Sequence, residues 1–129
     1  MIFEYGLETK KEGFYNITSY VKDAVSKSGV NSGMCIIYCP HTTSAITINE
    51  NTDKDVENDI LLGLEDNFHN RDGFKHFEGN SNAHLKSSVI GVSETVIINN
   101  NSLVLGRWQG IYFCEFDGPR KRQFYVKII

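Results

Sequence analysis

The fold is decided by residues 105–120, which read LGRWQGIYFCEFDGPR. The run from Trp108 to Phe116 is rich in aromatic and β-branched residues, so it predicts a half-buried strand. Because side chains alternate faces along a strand, Glu115 should emerge on an otherwise apolar face. The turn Asp117-Gly118-Pro119-Arg120 then ends the strand, since glycine permits unusual dihedrals and proline lacks a backbone donor. The carboxylates of Glu115 and Asp117 either leave the core at a strand end or belong to a functional site.

Length and composition predict one globular domain spanning residues 1–129, which the pattern of predicted elements makes an α+β domain. The chain is 40% hydrophobic and 22% charged with a formal net charge of −3, so no general attraction to nucleic acid or an anionic membrane is expected. No signal peptide and no apolar run of membrane-spanning length is recognisable. Three cysteines without CxxC spacing argue against a disulfide framework and a structural zinc knuckle. A cytoplasmic protein with reduced thiols is expected.

Periodicity predicts mostly antiparallel β-sheets packed with two or three helices. Helices are expected from Thr18, with its hydroxyl as cap, to the residue before Gly29, then from Asp53 to Phe68, and as a short helix over Ala83–Ile90. Strands are expected over residues 3–7, 13–17, 34–39, 44–49, 95–98, 102–106, 108–116 and 123–129. Residues 70–82 have no period, and loops of this length are often functional.

Three of the four histidines lie at the ends of predicted elements. His41 follows the proline that interrupts a buried strand, His76 lies in the long loop, and His84 opens the short helix. Imidazole suits proton transfer near neutral pH and is the commonest metal ligand. Each histidine alone has an ordinary structural explanation, but together with Glu115 they could form a catalytic site or hold a metal with an open position. His69 is expected to be a solvated helix-end residue.

Two further groups suggest anion binding. Asn49 and Asn51 lie where a strand runs into a helix, and a helix amino end favours an anion, although cap and turn chemistry explains them equally well. Arg120 and Arg122 offer guanidinium forks that match phosphate geometry, or they are a solvated basic turn. No serine lies in a nucleophile motif, and Cys114 should face the core, so neither nucleophile is expected.

These residues resemble the YjbQ family, whose members are often labelled secondary thiamine-phosphate synthases. The resemblance lies in five segments and covers nearly the whole chain: HTTSA (41–45), TINEN (47–51), AHLKSS (83–88), LGRWQGIY (105–112) and Glu115. It implies a β-rich α+β fold, a homotrimer, and a pocket near a subunit interface. On this sequence the pocket would hold His41, His76, His84 and Glu115, with Asn49, Asn51, Trp108 and Gln109 nearby.

The resemblance implies a transferase that moves an aminopyrimidine-methyl group from its pyrophosphate to a thiazole phosphate. Such chemistry needs charge stabilisation on the leaving group and an aromatic cradle for a cation. Arg120, Arg122 and a divalent cation, zinc or magnesium, could serve the pyrophosphate, and Trp108 or Tyr112 the cation. His41, His84 and Glu115 could move a proton, and His41, His76, His84 and Glu115 could hold the metal. The alternatives are a metal-dependent hydrolase of a small phosphorylated metabolite and a non-catalytic small-molecule binding protein.

Overall fold

The computed structural model describes residues 1–129 and has eight strands and three helices. In chain order they are β1 (Ile2–Thr9), β2 (Gly13–Asn16), α1 (Thr18–Ser28), β3 (Gly33–Tyr38), β4 (Ser44–Glu50), α2 (Lys54–Asn67), α3 (Ser81–Ile90), β5 (Ser93–Asn99), β6 (Ser102–Leu103), β7 (Gln109–Glu115) and β8 (Arg120–Ile128). None of the helices is long and apolar enough to cross a membrane.

The strands form two antiparallel sheets. The five-stranded sheet has the order β1-β8-β3-β5-β6, and the three-stranded sheet has the order β2-β7-β4. The segment around residue 111 is therefore the central strand of the smaller sheet, between β2 and β4. The α+β fold with mostly antiparallel sheets is confirmed.

Two apolar clusters lie on the two faces of the three-stranded sheet. The larger cluster fills the space between the sheets beside α1, and Ile111 and Phe113 of β7 belong to it. The smaller cluster lies beneath α2 and α3 and takes Cys114 from β7 and Leu64 from α2. The predicted alternation of faces along β7 is thus observed, and burial of its side chains on both faces makes β7 the best-buried strand.

A close backbone approach fixes one end of β7. A Cβ atom at Gly110 would lie 2.8 Å from Cβ of Asn51, closer than two carbon atoms normally come. The Asn51 amide N–H donates to the Trp108 carbonyl at 2.8 Å, so the chain leaving β4 lies directly against the start of β7. Glycine is therefore needed at position 110 for this contact.

Helix starts differ from the prediction at two places. The cap of α1 is Ile17, and the Thr18 hydroxyl instead donates to Asn16 Oδ1 at 2.6 Å and accepts from the Ile111 amide at 2.9 Å. Helix α3 begins at Ser81, two residues before the predicted start. For α2 the prediction is confirmed, because Asp53 is the cap and its carboxylate accepts from the Asp55 amide at 2.9 Å.

The basic segment before the last strand was also placed wrongly. We expected the last strand to begin at Gln123, with a solvated turn as one of two explanations for residues 120–122, but β8 begins at Arg120 and pairs with β1 from Thr9 onward. Arg120 and Arg122 are two residues apart, so their side chains share a face of β8. Arg122 is 7% exposed, whereas Arg120, at the first position of the strand, is exposed, so this face carries one arginine beneath the surface and one at the rim.

Candidate functional site

A mainly polar cavity of about 290 Å³ lies where β3, β8 and the start of α3 meet. Every side chain that lines it except that of Pro40 is polar or charged. The lining consists of Pro40, His41, Thr42, Thr43, Glu78, Asn80, His84, Arg120 and Arg122. Two histidines and two arginines from three separate parts of the chain thus converge on one small space.

His41 is held in place by the main chain of β8. The paired residues of β3 and β8 end at Tyr38 opposite Tyr125. Two residues further along each strand, Pro40 would lie opposite Gln123. Proline has no N–H for the ladder, and His41 Nε2 takes its place, 3.0 Å from the Gln123 nitrogen and 3.1 Å from its carbonyl oxygen. The neutral ring with its proton on Nε2 donates to this carbonyl and leaves Nδ1 as the acceptor, whereas the tautomer with its proton on Nδ1 accepts from this N–H at Nε2.

The environment of His41 favours the neutral imidazole. Burial is the main cause that lowers the pKa of His41, and the nearby Arg122 cation lowers it further. The hydrogen bond to Gln123 and the Glu115 carboxylate act in the opposite direction without reversing the shift. His41 is therefore a neutral proton acceptor near pH 7.

Arg122 is anchored beneath the cavity by Glu115. Its Nε and Nη2 donate to the two carboxylate oxygens of Glu115 at 2.8 and 2.6 Å, and Nη2 also donates to Thr43 Oγ1 at 2.8 Å. Glu115 further accepts from the Thr9 hydroxyl at 2.6 Å and from the Asp117 amide at 3.0 Å. Arg122 Nη1 has no hydrogen-bond partner in the protein, so this nitrogen is free to donate to a ligand.

Glu115 is fully buried, yet its pKa is lowered. Burial by itself raises the pKa of a carboxyl group, but the hydrogen bonds from Arg122, Thr9 and the Asp117 amide outweigh it, together with the charge of Arg122. The carboxylate is thus charged and fully engaged. It does not line the cavity and reaches it only through Arg122.

Arg120 and Asn80 share the carboxylate of Asp117. Arg120 Nη2 donates to Asp117 Oδ2 at 2.9 Å, and Asn80 Nδ2 donates to the same oxygen at 2.7 Å. Because a carboxylate only accepts, the amide orientation of Asn80 is fixed, and its buried Oδ1 is left without a partner. These hydrogen bonds outweigh burial and lower the pKa of Asp117, so the group stays ionised.

A closed surface loop brings two more groups to the cavity. Asn70 holds the two ends of this loop together, because its Nδ2 donates to the Gly79 carbonyl at 2.9 Å and its Oδ1 accepts from the Asn82 amide at 3.1 Å. Within the loop, the His76 ring lies edge-on to His84 with 5.3 Å between ring centroids. His76 Nε2 is 3.9 Å from a Glu78 oxygen. The predicted functional loop therefore lies beside the cavity.

A second hollow of about 460 Å³ adjoins the first and shares His41, Thr42 and His84 with it. Its other lining residues are Ser87, Ser88, Gly91 and Val92. The Ser87 hydroxyl donates to the Ser44 carbonyl at 2.6 Å. No Lys, Arg, Asp or Glu side chain lines this second hollow.

The predicted site residues do not all come together in one chain. His41, His84, Arg120 and Arg122 line the cavity, and His76 lies next to His84. Asn49 pairs with Gly110, at the opposite end of the β4–β7 ladder from the pair of Ser44 and Glu115. At roughly 3.3 Å per residue, the five steps from Gly110 to Glu115 separate these pairs by about 16 Å. Within one chain Asn49, Asn51, Trp108 and Gln109 thus lie apart from the histidine cavity, and their nearness to it across a subunit interface stays a prediction.

The separation follows from the direction of β7. Gln109 and Glu115 share a face of β7 because they are an even number of residues apart, but they lie at its two ends. At the far end, the exposed Trp108 ring stacks against Arg107, whose guanidinium carbon is 4.8 Å from the ring centroid. This end of the sheet is a surface separate from the cavity.

The predicted metal ligands do not form a ligand set in this conformation. No group of three or more His, Cys, Asp or Glu side chains is placed to hold a metal ion. Glu115 in particular has both oxygens engaged by Thr9, Arg122 and the Asp117 amide. The donors near the cavity are therefore arranged for hydrogen bonding, and metal binding stays a prediction.

Three residues that shape the site were not predicted as site residues from the sequence. Thr43 lies in the HTTSA segment, and its hydroxyl fixes Arg122. Asn80 immediately precedes α3 and lies in the predicted loop of residues 70–82, where nothing in the sequence distinguishes it from its neighbours. Thr9 carries no sequence signal, because its hydroxyl reaches Glu115 only through the pairing of β1 with β8. Contacts of this kind depend on strand pairing and cannot be read from local patterns.

Comparisons with known proteins agree with one another over nearly the whole chain. The family model described as UPF0047 protein YjbQ-like matches residues 4–129. A UPF0047 protein of Methanocaldococcus jannaschii is 52% identical, with 100% of this chain and 94% of the relative covered. The UPF0047 protein YugU of Bacillus subtilis is 49% identical, with 94% of this chain and 92% of the relative covered.

Solved structures give the same result. The crystal structure of a YjbQ/UPF0047 family protein from Clostridium acetobutylicum has a TM-score of 0.96 and 55% identity, and the match covers 98% of this chain and 99% of that one. The structure of a protein from Sulfolobus solfataricus, described as YbjQ-like and of unknown function, has a TM-score of 0.90 and 30% identity, with 99% and 96% covered.

Proposed function

Because the chain belongs to the YjbQ-like UPF0047 family, a family of unknown function, we propose its activity from the cavity. The protein is an enzyme that binds a small phosphorylated metabolite and hydrolyses its phosphate ester. One observation carries this proposal: His41, His84, Arg120 and Arg122 line one polar cavity. Arginine forks match phosphate oxygens, and imidazole moves protons near neutral pH.

The phosphate group would be bound by the free corners of the two guanidinium groups. Arg122 keeps Nη1 free, and Arg120 keeps its own Nη1 free, while their other nitrogens bond Glu115 and the Asp117 group. The start of α3 lies beside them, and the positive end of its helix dipole favours an anion there. Because each arginine already has a carboxylate partner, the attraction for an isolated anion is modest.

The two histidines would then carry the proton transfers. In hydrolysis a water oxygen bonds to phosphorus, the phosphorus–ester oxygen bond breaks, and one proton leaves the water while another reaches the departing oxygen. His41 is neutral near pH 7 and so is suited to accept the water proton. His84, which lies across the same cavity, is the group placed to donate.

Glu115 acts as a positioning residue in this proposal. It was expected to be catalytic and a metal ligand, but its oxygens orient Arg122 and are not presented to the cavity. A positioning role predicts that Glu115→Gln raises KM, through a misplaced Arg122, more than it lowers kcat. An equal fall of kcat and kcat/KM would assign it to the transition state instead.

A screen of phosphorylated small metabolites for released phosphate tests the proposal. His41→Ala and His84→Ala should each lower kcat at least a hundredfold, because general acid–base catalysis contributes about 10²–10⁴ in rate. His69→Ala is the matched control, since His69 is exposed and lies outside both hollows. Unchanged turnover in both cavity variants would contradict the proposal. Loss of activity with EDTA and its return with zinc or magnesium would add a metal to the mechanism.

The thiamine-phosphate synthase reaction is the second candidate, and it requires more than one copy of the chain. Its aromatic cradle would be Trp108, which is half-exposed but precedes the end of β7 opposite Glu115 and does not line the cavity of its own chain. A homotrimer could bring this end of one copy to the cavity of another. Exposed apolar residues on the outer face of the five-stranded sheet, Met34, Tyr38 and Ile97, support assembly.

Mixed assemblies distinguish the two candidates. His84→Ala and Trp108→Ala chains should each be inactive in a shared site, and mixing them should restore part of the activity. Hydrolysis within one copy predicts no such rescue and full activity for Trp108→Ala. Product analysis completes the test, because free phosphate from one substrate indicates hydrolysis, a joined product indicates transfer, and ligand-dependent thermal stabilisation without product indicates a binding protein.

A further inference from the structure

We propose that the second hollow binds the uncharged, hydroxyl-bearing part of the ligand, so that the substrate is a sugar or polyol phosphate. This inference rests on the proposed function, because it assumes that the phosphate occupies the arginine-lined cavity. The two hollows meet at His41, Thr42 and His84. A ligand spanning both would therefore place the bond between its phosphate and its carbon skeleton beside the two imidazoles.

The lining of the second hollow indicates what it would bind. No Lys, Arg, Asp or Glu side chain lines it, so a charged group there would lose water without gaining an ion pair. The hydroxyl groups of Thr42 and Ser88 make no hydrogen bond within the protein, and both residues are exposed. A hydroxyl both donates and accepts, which matches the hydroxyl groups of a polyol.

The floor of the hollow is held rigid by backbone hydrogen bonds. The Ile46 amide donates to the Gly91 carbonyl at 3.1 Å, and the Cys39 amide donates to the Val92 carbonyl at 2.8 Å. Gly91 has φ of 96°, and a Cβ atom there would meet nothing within 4 Å. The absence of a side chain at this position therefore leaves room for carbon atoms of a ligand beside Val92.

The electrostatics of the first cavity explain why a second binding region is needed. Arg122 and Arg120 are each paired with a carboxylate, so phosphate alone gains little net charge attraction. Binding energy from the non-reacting part of a substrate then has to hold the phosphate in place. The uncharged hollow next to it is the surface that can supply this energy.

Calorimetric titration with inorganic phosphate, glycerol 1-phosphate and ribose 5-phosphate tests the inference. The phosphorylated polyol or sugar should bind at least about tenfold more tightly than inorganic phosphate. Ser88→Phe, a change at an exposed helical position, should fill the hollow and remove this gain while leaving the affinity for inorganic phosphate unchanged. Ser26→Phe, at an exposed position of α1, is the matched control and should change neither affinity.

The outcomes separate this inference from the function on which it rests. If inorganic phosphate binds but the polyol and sugar phosphates bind no more tightly, the second region is not a binding site for them. The same conclusion follows if their gain survives in Ser88→Phe. If none of the three compounds binds, the proposed function is overturned and this inference with it.

Discussion

At the scale of single residues, the His41 side chain takes the place of a hydrogen bond that the β3–β8 ladder lacks. Proline at position 40 cannot donate to the ladder, and the imidazole of the next residue meets the Gln123 amide instead. A histidine engaged in this way is held rigidly beside a cavity while its second nitrogen stays available. The strand break that marked this position in the sequence is thus the physical cause of the histidine's placement.

The lowered pKa of His41 predicts a pH dependence of stability. Its pKa is lowered in the folded protein, so the unfolded chain takes up the proton more readily as the pH falls. The contribution of neutral His41 to the free energy of unfolding is present above the unfolded pKa of about 6.5, and it is lost as the pH falls through the lower pKa of the folded protein. Urea unfolding at pH 7.5 and 5.5 should show a smaller loss of stability for His41→Gln than for the wild type. His69→Gln should behave like the wild type, and an equal loss in all three proteins would contradict the prediction.

The Glu115–Arg122 pair predicts a large effect from a one-atom change. Glu115→Gln leaves a buried guanidinium without its counter-ion, which should cost about 3–5 kcal/mol in the free energy of unfolding. Lys27→Gln is the control, because it removes an exposed pair with Asp23 and should cost less than about 1 kcal/mol. Denaturant unfolding measures both, and similar costs would show that burial does not govern this pair.

At the scale of secondary-structure elements, a buried lysine joins three parts of the chain. Lys86 of α3 is fully buried, and its Nζ donates to Glu65 of α2 at 2.7 Å and to Glu12 in the β1–β2 turn at 3.0 Å. The same nitrogen lies 6.0 Å from the centre of the Phe116 ring. Burial disfavours the charged lysine, but the two glutamates outweigh it and raise its pKa. The ammonium therefore holds α2 and α3 together.

Burial of only one partner predicts an asymmetry between variants. Lys86→Met leaves two glutamates that are 41% and 49% exposed and can turn toward water, so it should cost less than about 2 kcal/mol. The double variant Glu12→Gln, Glu65→Gln leaves the buried ammonium without a counter-ion and should cost about 3–5 kcal/mol. Chemical denaturation of both proteins measures the difference. A larger cost for Lys86→Met would show that the lysine stem, rather than its charge, holds the helices together.

The elements themselves were largely predictable from the sequence because their signals are local. Alternation predicts β7, and the Asp53 carboxylate predicts the start of α2. The run Asn99-Asn100-Asn101 predicts the β5–β6 turn, because asparagine tolerates the positive φ that Asn100 and Asn101 adopt. Thr18 was misassigned because its hydroxyl bonds to Ile111, 93 residues away. Local patterns show which residues can cap a helix, but not which partners tertiary structure offers.

At the scale of the whole molecule, the pairing of strands divides the predicted site. His41 and His84 meet because α3 packs against the three-stranded sheet beside the end of β3. Trp108 and Asn49 share a different end of that sheet, although the sequence offered no reason to separate them from the histidines. Which strands become neighbours depends on contacts between distant parts of the chain, and no local period encodes it.

Histidine side-chain NMR during a titration with glycerol 1-phosphate tests the central claim, that the histidine–arginine cavity is the binding site. The four imidazoles report on different places: His41 and His84 line the cavity, His76 adjoins it, and His69 lies at the end of α2. We predict saturable shifts of the His41 and His84 signals with one dissociation constant, while His69 does not move. Saturable binding that leaves His41 and His84 unshifted would contradict the account.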